Sequence, residues 1–265
     1  MNVIDRNNIV IKGSGTTPMV LAHGFGCDQH MWRFIVPAFE SSHKIVLFDH
    51  VGAGKSDLSA YSFEKYDDLA GYAQDIVEIA EALELTDIVF VGHSVSSVIG
   101  MIAANLAPEL FSRLILVAPS PSYINDGDYI GGFTSSQIDE LLDALDNNHL
   151  GWSLTMAPII MGNPDRKELS EELANSFCRT DPTIAKHFAR TTFLTDGRDI
   201  LKTVKVPSLI LQCANDVIAP IEVGQYMKAM IPNSELVILD ATGHCPNLSA
   251  PDETIEAIKS FLNNG

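Results

Sequence analysis

The chain has 265 residues, with 34 acidic against 17 basic side chains and a formal net charge of −17. Phosphate backbones and anionic bilayers are held by clustered Lys and Arg, so this balance excludes nucleic acid and membrane surfaces as partners. At 46% hydrophobic and 19% charged, the composition is globular rather than disordered, and the length suits one α/β core carrying an insertion.

The N-terminal residues Met1 to Arg6 contain no basic stretch followed by an apolar run. No apolar segment, the one at 204–211 included, approaches the roughly 20 residues of a bilayer span. A cytoplasmic protein is expected. Short β-branched runs predict strands over 8–12, 18–22, 44–49, 87–92, 113–118, 208–213 and 235–239. Several are apolar at consecutive positions, as strands covered on both faces should be. Between them, 69–83 places Ala73, Ile76, Val77, Ala80 and Leu83 on one helical face, and 97–106 reads as a further helix. The alternation stops after Ala118: 135–145, 149–160, 167–179 and 182–194 read as four helices with no strand among them. The sheet resumes near 206, and a last helix over 251–262 presents Ile255, Ile258 and Leu262. This order implies an α/β fold, a mostly parallel central sheet with helices on both faces. The core comprises 1–118 and 200–265, and 119–199 forms a helical cap, a candidate lid over the carboxyl ends of the strands. Cys27, Cys178, Cys213 and Cys245 are widely spaced, with no C-x-x-C, and read as reduced thiols rather than a zinc site.

The predicted strand ending at Gly92 runs into His93-Ser94-Val95-Ser96 and then a helix, the context of a nucleophile elbow, in which a strained turn exposes a serine hydroxyl. Ser96 stands where G-x-S-x-G has its last glycine. A serine nucleophile needs a base, and the base an orienting acid, in the chain order Ser, acid, His. Asp216 follows the strand at 208–213, and His244 follows the strand at 235–239, so all three fall at one edge of the sheet. Asp240 is the competing acid, but it sits at a strand terminus. His23 and His93 read as packing or hydrogen-bonding residues. The loop His23-Gly24-Phe25-Gly26 follows the strand at 18–22, and the amides of Phe25 and Val95 would form an oxyanion hole. The segment Val51 to Ser56 ends like a P-loop, but Asp49 occupies the position of its first glycine, so a phosphate site is ruled out in favour of a shaped loop.

These motifs, together with His23 to Gln29, Arg113 to Ser122, Asn125 to Phe133, Gly243-His244 and Leu248 to Pro251, resemble the α/β-hydrolases of the RsbQ-like group. That group joins bacterial RsbQ stress-signalling hydrolases to the plant strigolactone and karrikin receptors. Gly131-Gly132-Phe133 and Gln212 to Asp216 favour the bacterial branch. The resemblance implies an α/β-hydrolase fold with a four-helix cap inserted after the sixth large strand. It also implies a buried pocket lined by Phe25, Tyr123, Phe133, Trp152, Met156 and Phe193. It further implies slow turnover and a PAS-domain phosphatase partner in general-stress (sigma factor) signalling. The expected activity is cleavage of an ester or lactone-like bond in a small, neutral, hydrophobic molecule. The alternatives are a metabolic carboxylesterase without a signalling role and a receptor-like ligand binder of slow or single turnover. No metal and no organic cofactor is expected, and serine at 94 disfavours dehalogenase and epoxide hydrolase chemistry.

Overall fold

The computed structural model describes residues 2–263. Because side chains alternate along a strand, each consecutive apolar run supplies two faces at once. Met19, Leu21, Ile45, Val89, Val91, Ile115, Val117, Leu209 and Leu211 enter one core, whereas Val20, Ala22, Val46, Phe90, Leu114, Leu116 and Ile210 enter the other. The strands are β1 (Val10–Lys12), β2 (Thr17–Ala22), β3 (His43–Leu47), β4 (Ile88–His93), β5 (Phe111–Val117), β6 (Ser208–Asn215) and β7 (Ser234–Thr242). They form one sheet of order β1-β3-β2-β4-β5-β6-β7, in which β1 pairs antiparallel with β3 and every other pairing is parallel. This is the mostly parallel sheet that the sequence implies.

The helices are α1 (Val3–Arg6), α2 (Leu69–Ala82), α3 (Val95–Leu106), α4 (Ser135–Asn147), α5 (His149–Met161), α6 (Lys167–Arg179), α7 (Pro182–Phe193), α8 (Ile221–Met230), α9 (Pro246–Ser249) and α10 (Pro251–Asn263). The α2, α3 and α8 helices bury their apolar faces in the second core, and α10 packs Ile258 and Phe261 into the first. Helices α4 to α7 occupy the chain between β5 and β6 and also add to the first core, through Ile138, Leu142, Trp152, Leu173 and Phe177. Their starts are encoded locally. Thr134 and Gln137 close a reciprocal capping box on α4, and the Asp181 carboxylate accepts the Thr183 and Ile184 amides at the head of α7. Each such cap stabilises its helix by about 1 kcal/mol.

Two expectations need correction. The four helices follow the fifth strand of this chain, where the predicted strand spacing puts them, rather than a sixth as the resemblance implies; ahead of β1 lies the short helix α1, capped by the Asn2 side chain. The helix expected from Ser97 starts at Val95, so that it begins immediately beyond the proposed nucleophile. The loop that imitates a P-loop is organised around a carboxylate: Asp49 accepts hydrogen bonds from the Gln29 and Lys55 amides and from Asn8 Nδ2, at 2.8 to 2.9 Å. Among the described residues, no helix is long and apolar enough to cross a membrane.

Candidate active site

Ser94 sits between the end of β4 and the start of α3 at φ 56° and ψ −124°. This is a strained conformation for a side-chain-bearing residue, sustained here by rigid elements on both sides. Its amide is anchored to the Val117 carbonyl of the adjacent strand at 2.8 Å. The turn leaves Oγ directed at His244, whose Nε2 lies 2.7 Å away. On the other side of that ring Nδ1 donates to Asp216 Oδ2, also at 2.7 Å. Asp216 is itself fixed, because its Oδ1 accepts from the Ile218 and Ala219 amides at 2.8 and 3.2 Å. All three side chains are buried. Asp240, the competing acid, lies within β7 with its amide bound by Glu253, and takes no part in this set.

The inserted helices hold the base as firmly as the core does. The His244 amide donates to the Ile160 carbonyl near the end of α5, and the Gly243 amide donates to the Asn215 carbonyl, each at 2.8 Å. Gly243 has φ +90°, and a Cβ there would lie 1.9 Å from the Met161 carbonyl oxygen, so no larger residue fits this seat.

Ser94 and His244 open into a cavity of about 30 Å³. Of the six residues expected to line a pocket, Phe25, Tyr123 and Phe193 lie on the wall of this cavity. Trp152, Phe133 and Met156 belong to the surrounding apolar core but do not reach its wall. Trp152 instead packs edge-on to Phe25, with ring centroids 6.1 Å apart. The remaining wall comes from Cys27, inside the His23 to Gln29 segment, and from positions the motifs do not mark, chiefly Ile160, Leu173, Phe177, Thr192 and Ile218. Among the described residues, no Asp, Glu, Lys or Arg faces the cavity. The Tyr123 hydroxyl stands 3.4 Å from Ser94 Oγ, and burial pushes its pKa up to about 12, so it remains protonated. A larger groove of about 830 Å³ runs along the β1 side of the molecule past Lys12, Arg33, Lys55 and Arg179. It contains no part of the serine, histidine and aspartate set and touches the smaller cavity only through Cys27. Ser94 and His244 face the smaller one.

A strained serine on a strand-to-helix turn, hydrogen-bonded to a histidine held by a buried aspartate, defines a hydrolase with a Ser-His-Asp triad. The chain belongs to the alpha/beta hydrolase family, whose pattern it matches over residues 19–257. It is similar to strigolactone esterase RMS3 of Pisum sativum, with 39% identity covering 98% of each chain. It is also similar to the karrikin insensitive 2 receptor CA of Petunia hybrida, with 37% identity covering 99% of this chain and 97% of the receptor. A solved hydrolase from Oleispira antarctica superimposes with a TM-score of 0.97 at 43% identity, over 100% of this chain and 97% of the other.

Proposed function

We propose that this chain hydrolyses an ester or lactone-like bond in a small, neutral, hydrophobic molecule by acyl transfer through Ser94. The observation that carries the reading is the unbroken line Asp216–His244–Ser94 ending in an uncharged cavity. In this reading His244 Nε2 takes the Ser94 proton as Oγ attacks the carbonyl carbon, and Asp216 stabilises the imidazolium formed. The negative charge moves to the carbonyl oxygen. It is received by the amides of Phe25 and Val95, which find no protein acceptor among the described residues. Collapse expels the alcohol, protonated by His244. Water deprotonated by the same nitrogen then releases the acid and restores Ser94. Residues 119–199 act as the cap over this site.

A ligand pocket for a drug-sized molecule measures several hundred Å³ or more. A cavity of about 30 Å³ therefore favours a short acyl group, or a longer one admitted only as α6 and α7 move. A regulatory output is the second element of the proposal. It is supported by the RsbQ-like motifs and by the names of the relatives, a receptor and a strigolactone esterase. On that reading a PAS-domain phosphatase is the protein partner, and the four free thiols are those of a cytoplasmic protein.

The decisive experiment maps a fluorophosphonate adduct by mass spectrometry beside Ser94→Ala and His244→Ala. Labelling at Ser94, with ester cleavage lost in both variants, is expected; undiminished cleavage by Ser94→Ala overturns the reading. Fast multiple turnover on short acyl esters would favour a metabolic carboxylesterase. A single turnover with ligand-dependent melting would favour the receptor-like output.

A further inference from the structure

Ser96 departs from the glycine of the common pentapeptide, and its side chain has a defined place. Its Oγ donates to the His23 carbonyl at 2.5 Å and lies 2.7 Å from His50 Nε2. The His50 amide donates to His23 Nε2 at 3.1 Å, and His23 Nδ1 donates to the Gly24 carbonyl at 2.9 Å. Proton accounting leaves one solution. A carbonyl only accepts, so the single Ser96 proton goes to His23, and His50 Nε2–H must donate to the serine. His23 Nε2 receives an amide proton, so its own proton is on Nδ1.

The result is a closed ring through His23, His50 and Ser96, all three fully or almost fully buried. It joins two particular strands of backbone. His23 and Gly24 lead directly into Phe25, and Ser96 directly follows Val95. The two amides assigned to the oxyanion hole are thus tied together by one hydroxyl. The tie is bought with an unsatisfied atom, because His50 Nδ1 is buried without a partner. An apolar residue would pack against Phe48, Tyr72 and Phe188 without that penalty. Burial and the neighbouring His23 hold the His50 pKa well below its ordinary value, so the ring keeps the neutral Nε2–H form.

We infer that Ser96 and His50 are positioning residues that set the spacing between the Phe25 and Val95 amides, and hence the strength of the oxyanion hole. This rests on the serine hydrolase reading given above. Neither residue lines the cavity, so both act on the transition state through the two amides and not on substrate binding.

The test measures kcat and KM on a short p-nitrophenyl ester, affinity for a trifluoromethyl ketone that adds to Ser94 as an anionic hemiketal, and thermal melting. Ser96→Ala is expected to lower kcat by about 10- to 100-fold with little change in KM, and to weaken the ketone by a similar factor. His50→Leu should behave alike, whereas His50→Gln, which retains an N–H near the Nε2 position, should restore most of the loss. Ser96→Gly, the residue of the common pentapeptide, serves if alanine proves unstable. Wild-type kcat and ketone affinity in Ser96→Ala and Ser96→Gly overturn the inference, as does a loss that only follows the folded fraction. Activity surviving in Ser94→Ala would instead overturn the hydrolase reading itself.

Discussion

His93 donates through Nε2 to the backbone carbonyl of His244 at 2.7 Å, so the residue before the nucleophile clamps the loop that carries the base. The ring is buried and its Nδ1 has no partner. Desolvation first, and the nearby His244 second, push its pKa down to about 3. In the unfolded chain the same group titrates near 6.5. Below that pH the unfolded state binds a proton that the native state refuses, so stability is complete above about 6.5 and declines as pH falls toward about 3. His50 contributes with the same sign. Each histidine adds up to about 1.4 kcal/mol per pH unit to the slope. Urea denaturation between about pH 7 and 5 should show His93→Asn with a slope shallower by about one proton. An unchanged slope would mean that His93 takes up a proton in the native protein.

Asp216→Asn should disable the enzyme without unfolding it. Oδ1 receives two backbone N–H groups, so an asparagine must keep its oxygen there and turn its NH2 toward His244 Nδ1. That forces the histidine proton onto Nε2, where it faces Ser94 and cannot accept a second proton. A fall in kcat of about 10⁴, with KM and melting temperature nearly unchanged, is expected. A fall of less than about tenfold would show that Asp216 does not set the tautomer.

The sheet and the triad were legible because both depend on local signals. Consecutive apolar residues such as Met19 to Ala22 mark strands covered on both faces, and Ser94, Asp216 and His244 each follow a strand that a short motif identifies. Helix α8 was not legible: its buried residues are only Val223, Gly224 and Met227, too few to mark an apolar stripe. The cavity wall was legible only in part. Phe177 reaches it because Gly26, at φ +69°, leaves room for the ring; a Cβ there would lie 2.1 Å from Phe177 Cδ1. That contact joins residues far apart in the chain, and no periodicity encodes it. Trp152, which lies on an apolar helix as a pocket residue would, is instead turned onto Phe25 and Phe177.

Phe177 should limit acyl length. Its ring packs at 6.0 Å from Phe25 and 5.4 Å from Trp152 and closes one side of the cavity. Each added methylene would normally favour binding by about 0.8 kcal/mol, but here it meets a filled wall. On p-nitrophenyl acetate, butyrate and hexanoate, kcat/KM should fall with length. Phe177→Leu should raise the hexanoate to acetate ratio by about tenfold or more. A wild-type preference for hexanoate would show that the inserted helices part readily in solution.

The three buried thiols, Cys27, Cys213 and Cys245, should be inert. Burial pushes the Cys27 thiol up to about 12, with Asp28 and Glu172 adding to the effect, and burial likewise raises Cys213 and Cys245. The thiolate is the reacting form, so near pH 8 only about one Cys27 in 10⁴ is ready to react, before access is considered. Cys178 on α6 is the half-buried exception. Titration of native protein with a disulfide reagent should therefore find one fast thiol, at Cys178, and all four in urea. Rapid modification mapped to Cys245, which lines the smaller cavity and not the larger groove, would instead mean that the cavity opens to solvent often enough to override the buried state, and the acyl-length limit set by Phe177 should then be relaxed in the same protein.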